Sequence, residues 1–287
     1  MQIVTDRGAD LAPEQKASLD LAYIQLLIHL NDKSYRSGID IDPNDFYTLL
    51  SETDSFPTTS QPSAGEFAEL YRDLAKKTPD IFSIHISSGL SGTINAARAG
   101  AEMVPEANVT FFDTMTLSVP EGWMVEAAAR MLGAGWSVER VIAKLETLRE
   151  QVNGIFTLNT LKYLIHGGRI SHIKGLVASL LNIKPVIGVE KVKGMYDTFG
   201  QEITLKRAMG KIVDVVEHWY PQKPKLRVQL LHGNNLEAVE YLREKMLERF
   251  DCLMEPVTPV APVLGAHTGP GLVGLAVAPL SVFADIP

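Results

Sequence analysis

The sequence predicts an α/β fold: an N-terminal parallel sheet with helices on both faces, then a C-terminal α/β domain with a mixed sheet. Three observations predict it. Residues 1–150 alternate short apolar runs with helical periodicity. Residues 152–287 interleave strand-like runs with longer amphipathic stretches. Between them in character, residues 31–62 follow neither pattern and are punctuated by Gly38, Pro43, Pro57 and Pro62.

In the first half, residues 2–5, 23–30, 81–86 and 109–112 read as strands. Helical periodicity covers 64–76, 92–104, 121–132 and 138–151. Strands alternating with helices imply a parallel sheet covered on both sides. The irregular stretch leaves one short helix near 44–51. In the second half, 154–158, 183–189, 226–231 and 272–277 read as strands, with helices near 202–218 and 236–250. Residues 192–198, with Gly194 in the middle, suit a hairpin, and helices on one face of a mixed sheet complete the expectation. The predicted domains are therefore 1–151, with an irregular insertion at about 31–62, and 152–287.

Composition narrows the function classes. The 287 residues are 46% hydrophobic and 21% charged, which suits a globular chain with a sizeable core. The longest apolar stretch, residues 21–30, is interrupted by Gln25 and His29 and is too short to cross a bilayer. The opening residues show no basic region followed by an apolar one, so no signal peptide is expected. One cysteine, Cys252, excludes an intrachain disulfide and fits a cytoplasmic location. A net charge of −7 argues against general nucleic-acid binding. That charge is uneven: residues 1–150 carry 22 acidic and 12 basic side chains, residues 151–287 carry 12 and 15. No Asp or Glu occurs from 151 to 189, while Lys162, His166, Arg169, His172, Lys174 and Lys184 do. Such an island suits either an anion or acidic partner or a plain solvated face.

Three polar clusters stand out. Ser87-Ser88-Gly89-Leu90-Ser91-Gly92-Thr93 follows an apolar strand and opens a helix. The carboxyl edge of a parallel sheet is where ligands bind, and helix amides with adjacent hydroxyls suit a carboxylate. Capping alone would use Ser91 and leave the other serines unexplained. In Pro57-Thr58-Thr59-Ser60-Gln61-Pro62-Ser63, Ser63 and Glu66 form a capping box, and Thr58, Thr59 and Ser60 are left over. Gly265-Ala266-His267-Thr268-Gly269-Pro270-Gly271 holds a histidine among glycines, suited to donating to an anion or simply to lying at the surface. Gly269 to Gly274 matches G-x-G-x-x-G. With Pro270 removing an amide and 13 residues remaining, no dinucleotide unit can follow. No phosphate-binding G-x-x-x-x-G-K-[ST] loop, Cys–His metal cluster, H-E-x-x-H or G-x-S-x-G occurs.

Taken together and in order, several stretches resemble the DegV family. They are Ile3-Val4-Thr5-Asp6, Tyr35-Arg36-Ser37-Gly38-Ile39-Asp40-Ile41, the Pro57-to-Ser63 loop, Ile84 through Thr93, and Phe112-Asp113-Thr114. Gly167-Gly168-Arg169-Ile170-Ser171, Leu181-Asn182-Ile183-Lys184-Pro185 and His267 through Gly271 complete the set. The resemblance implies a two-domain α/β fold with a long-chain fatty acid in a buried tunnel between the domains. It implies that hydroxyls of the Thr-Ser-Gln-Pro and Ser-Ser-Gly loops, helped by the histidine near the C-terminus, hold the carboxylate. Here those residues are Thr58 or Thr59 (Thr59 preferred) with Ser60, Ser88 with Ser91 as a further candidate, and His267. It also implies a non-enzymatic lipid carrier, the lipid-carrying subunit of fatty acid kinase, whose separate ATP-binding subunit makes the acyl phosphate. Arg169 would then meet that partner or, alternatively, clamp local carbonyls. No cofactor or metal is expected, and no nucleic acid or integral membrane segment. Arg7 departs from the family, which usually has a small hydroxyl residue there, and His166 stands where a basic or polar residue is common. The competing expectation is a serine hydrolase using Ser88 or Ser91 with His267 and Asp113. A third is an interaction protein without a lipid.

Overall fold

The computed structural model describes residues 1–169 and 183–287. Its first sheet is four parallel strands in the order β2-β1-β6-β7: β1 (Gln2–Asp6), β2 (Leu21–Ile24), β6 (Asp80–His85) and β7 (Asn108–Asp113). Helices α3 (Ala64–Ala75) and α4 (Thr93–Glu102) cover one face through Phe67, Ala68, Tyr71 and Ala97, which share a core cluster with Val4 and Ile81. Ser63 and Glu66 form the expected capping box at the start of α3. The opposite-facing Ile3, Phe82 and Ile84 join a larger cluster with α5 (Ser118–Gly133) and α6 (Val138–Gln151). The parallel sheet with helices on both faces is therefore the observed arrangement.

The second sheet runs β10-β9-β8-β14-β11-β12. Its members are β8 (Asn153–Thr157), β9 (Lys184–Val189), β10 (Tyr196–Glu202), β11 (Leu226–His232), β12 (Cys252–Met254) and β14 (Val273–Pro279), with β13 (Thr258–Pro259) also on β11. β12 and β13 pair parallel to β11 and the other neighbours are antiparallel, so the sheet is mixed. β9 and β10 form the hairpin expected around Gly194. Helices α8 (Leu205–Trp219) and α9 (Leu236–Arg249) share a core cluster with Ile155, Val186, Val228, Leu230, Leu275 and Val277.

Two expectations need correction. The predicted covering of this sheet on one face is incomplete. Phe156, Ile187, Leu231 and Ala276, one position out of step with the α8/α9 set, belong to the large cluster that holds α5. Period-two alternation sends them to the other face. Every residue of α5 from Ser118 to Ala128 is buried, the state of a helix enclosed on all sides. Gly122 makes the enclosure possible, because a β-carbon there would lie 2.2 Å from the Asp10 carbonyl oxygen.

The second correction is in the insertion. The single strand expected over 23–30 is two, broken at Gln25, and its second part, β3 (Leu27–Leu30), leaves the parallel sheet. It pairs antiparallel with β4 (Lys33–Arg36) and with β5 (Thr58–Ser60), and α2 (Pro43–Ser51) lies between those two in sequence. The shortest helices are α1 (Pro13–Lys16), α7 (Lys162–His166) and α10 (Pro262–Thr268). Among the described residues, no helix is long and apolar enough to cross a membrane, and no group of three or more His, Cys, Asp or Glu could hold a metal ion.

Candidate functional site

The short strand β5 decides which threonine faces inward. Thr59 stands opposite Ile28, which is fully buried, while Thr58 stands opposite His29. Residues opposite one another share a face and neighbours alternate, so Thr59 turns in and Thr58 is exposed. Thr59 Oγ1 lies 2.7 Å from Nε2 of His267, 208 positions away, carried by the buried helix α10.

Around this pair is a narrow cleft with a volume of about 40 Å3, lined by residues that include Thr59, Ser60, Gln61, Ser91, Arg169, Tyr196 and His267. Ser60 belongs to the lining, but its hydroxyl is engaged 3.0 Å from Nε2 of His29. Ser91 Oγ lies 2.8 Å from the Thr93 hydroxyl and accepts from the Thr93 amide at 3.3 Å. Ser88 is not in this cleft. It is exposed and lines a neighbouring, outer cleft of about 360 Å3 with Gly89, Ser91, Gly167, Gly168, Arg169 and Tyr196. The structure thus brings Thr59, Ser91, Arg169 and His267 together, with Ser60 on the rim and Ser88 one cleft further out.

His267 is unusual in its electrostatics. Burial, and secondarily the Arg169 charge, push its pKa down to about 4, so the ring is neutral at pH 7. One nitrogen then donates and the other accepts. Nδ1 is buried without a partner among the described residues, and Gly167 packs so closely that a β-carbon there would lie 2.0 Å from it. With the proton on Nε2, the ring donates to Thr59 Oγ1 and leaves the threonine hydrogen free to donate to an incoming oxygen.

Arg169 Nη1 donates to the Gly167 carbonyl at 2.9 Å, the local clamp considered above, and the same side chain borders both clefts. A third cleft, apolar and narrow with a volume of about 30 Å3, is lined by residues including Leu117, Phe156, Val189, Tyr196, Leu264 and Leu272. It shares Leu117, Tyr196 and Leu264 with the Thr59–His267 cleft. Tyr196, which borders all three clefts, carried no motif in the sequence. Its hairpin position, two residues beyond Gly194, was the available signal. Residues 161–165, in and just before helix α7, line none of these clefts, and residues 176–181 lie outside the described residues, as do His172 and Lys174.

The hydrolase constellation is not assembled. Asp113 accepts from the amides of Ser88 and Met115, and among the described residues no hydrogen bond joins Ser88 or Ser91 to His267, or His267 to Asp113. The G-x-G-x-x-G match opens the strand β14 rather than a helix, as a sequence without a following βαβ unit requires.

The chain matches, over residues 1–280, the family described as "Uncharacterised protein, DegV family". It belongs to the DegV family. A DegV domain-containing protein of Listeria innocua is 32% identical over 274 residues, covering 95% of this chain and 96% of its own. A DegV family protein from Thermus thermophilus, whose structure is described as showing fatty acid binding, superposes with a TM-score of 0.88. It is 32% identical and covers 97% of this chain and 99% of that one. DegV of Bacillus subtilis, described as a fatty acid binding protein, superposes with a TM-score of 0.86 at 29% identity, covering 96% and 98%.

Proposed function

We propose that this chain binds a long-chain fatty acid and presents its carboxylate to the ATP-binding subunit of a fatty acid kinase. The observation that carries the reading is the Thr59–His267 pair, beside Arg169, in a polar cleft that shares three lining residues with an apolar one. Thr59 orients the carboxylate by donation, and Ser91 completes the donors. The acyl chain passes Leu117, Tyr196 and Leu264 into the apolar cleft, between lobes divided at about residue 152. Each buried methylene contributes roughly 0.8 kcal/mol, so ~15 of them supply roughly 12 kcal/mol before ordering costs.

The chemistry asked of this chain is positioning. A carboxylate is already ionised at pH 7 and needs no base, while phosphoryl transfer needs alignment and charge balance. Ser88 and Arg169 line the outer cleft, and on this reading the phosphoryl group approaches from that side. Binding alone makes this chain a carrier rather than an enzyme, with ATP and metal supplied by its partner in the cytoplasm. Solvent extraction of the purified protein followed by mass spectrometry should release a long-chain fatty acid in near one-to-one amount. Arg169→Ala should lower acyl-phosphate formation with the partner at least about tenfold, a loss of about 1.4 kcal/mol, while retaining the extracted lipid. A lipid-free protein that also takes up no added palmitate contradicts the carrier reading, and unchanged phosphorylation removes Arg169 from the transfer.

A further inference from the structure

A fourth cleft lies elsewhere in the fold, where the end of β1, the insertion and the segment before α10 meet. It has a volume of about 340 Å3 and shares no lining residue with the clefts already described. Its walls include the apolar Leu11, Pro13, Pro43, Pro259 and Pro262, and its cations are Arg7 and Lys16.

Arg7 is held but not paired. Its guanidinium carbon sits 4.2 Å above the ring of Tyr23. On the other side, Gly38, at φ +71°, brings its backbone against the side chain, so that a β-carbon there would lie 3.7 Å from Arg7 Cδ. Nε is buried with no partner, and neither the Arg7 nor the Lys16 side chain makes a hydrogen bond or ion pair among the described residues. Burial lowers the Arg7 pKa, the sign of a cation whose lost hydration nothing replaces. Two carboxylates border the cleft, and both are committed elsewhere. Asp10 accepts from the Ser118 hydroxyl at 2.6 Å and the Ala261 amide at 3.1 Å, and Asp42 caps α2 through the Asp45 amide at 2.9 Å. A half-buried, oriented guanidinium without a counter-charge is stabilised when an anion completes it.

We infer that this cleft is a second ligand site, taking a small molecule whose phosphate group meets Arg7 and Lys16 and whose apolar body lies along Leu11 and the prolines. Arginine presents planar, paired donors to a phosphate, and a second cation favours a dianion over a monoanion. The apolar walls add affinity that bare phosphate cannot use. The site is independent of the fatty-acid reading.

Calorimetric titration with phenyl phosphate, inorganic phosphate and benzoate tests the assignment. Phenyl phosphate should bind about tenfold more tightly than either of the others, a gap of about 1.4 kcal/mol. Arg7→Ser and Lys16→Gln should each weaken it, the first at least about tenfold. A palmitate titration of both variants should match that of the parent, which reports that they are folded. No saturable binding up to about 20 mM phenyl phosphate, a range that reaches affinities weaker than 1 mM, overturns the site. So does equal binding by folded Arg7→Ser protein, and tighter binding of benzoate overturns the choice of phosphate.

Discussion

Among the described residues two buried histidines pair with hydroxyls, His267 and His85, and only one of those two pairs belongs to a cleft. Thr59 and His267 are 2.7 Å apart, and so are Ser83 and His85. The second pair is the more elaborate. His85 Nδ1 donates to Asp6 at 3.0 Å, and Ser83 lies 2.7 Å from the Tyr71 hydroxyl. Asp6 in turn accepts from the amides of Gly8 and Ile86. With Asp6 accepting only, the chain of donation runs from Tyr71 through Ser83 and His85 to the carboxylate. It has the serine, histidine and aspartate of a hydrolase, yet every one of these side chains is fully buried. Around His267, by contrast, Nδ1 has no partner among the described residues and a cleft adjoins the ring. Access and unused hydrogen-bonding capacity, not the residue types, separate a binding site from a structural network.

The largest expected effect is on the sealed network. His85→Ala removes the partner of the buried Asp6 and leaves Ser83 unpaired on that side. Breaking such a buried pair costs about 3–5 kcal/mol, so the melting temperature should drop steeply or the protein should fail to accumulate. His267→Asn should leave the melting temperature close to that of the parent while weakening palmitate binding. Equal destabilisation by the two substitutions would break the contrast.

The next effect is on pH dependence. His267 has a folded pKa of about 4 against an ordinary 6.5. Between those values the unfolded chain binds a proton that the folded chain does not, so this residue makes stability rise with pH from 4 to 6.5. The span is worth roughly 3 kcal/mol. Asp10 works the other way. Burial raises its carboxyl to about 7, and Glu121 is also raised, chiefly by burial and then by the neighbouring carboxylates. Those two bind protons more strongly when folded, so stability falls as pH rises through their folded values. Denaturant unfolding of wild type and His267→Asn at pH 4 and pH 7 separates the terms. The variant should gain relative to wild type on acidification, and a difference that does not change with pH would show that His267 is not held neutral by the cleft.

The smallest effect is at the end of the buried chain. Tyr71→Phe deletes one hydroxyl and leaves Ser83 bonded to His85, so about 1 kcal/mol of stability should be lost in denaturant titration with palmitate affinity unaltered. A loss of palmitate affinity would join the two networks that the structure keeps apart.

The layered fold was legible because periodicity is local. The capping box at Ser63, the hairpin about Gly194 and the parallel first sheet all follow from neighbouring residues. The split at Gln25 was not, because residues 23–30 are apolar throughout apart from two side chains, and nothing in that run says that β3 changes sheets. β5 was hidden for a similar reason. Three polar residues after Pro57 read as a loop, and only pairing with β3 makes them a strand and selects Thr59 over Thr58. His267 and Thr59 were each visible as candidates, but their 2.7 Å contact spans 208 positions and depends on where α10 lands. The second face of the C-terminal sheet escaped notice because its cover, α5, comes from the other half of the chain.

In the proposed function the Thr59–His267 cleft reads a carboxylate while the apolar cleft holds the chain. Titration of delipidated protein with palmitate and with hexadecanol, in wild type and in a Thr59→Val/His267→Asn double variant, tests it directly. Wild type should prefer the acid by at least about tenfold, or about 1.4 kcal/mol, and the double variant should lose that preference while keeping its affinity for the alcohol. A double variant that still prefers the acid as strongly as wild type would contradict the claim.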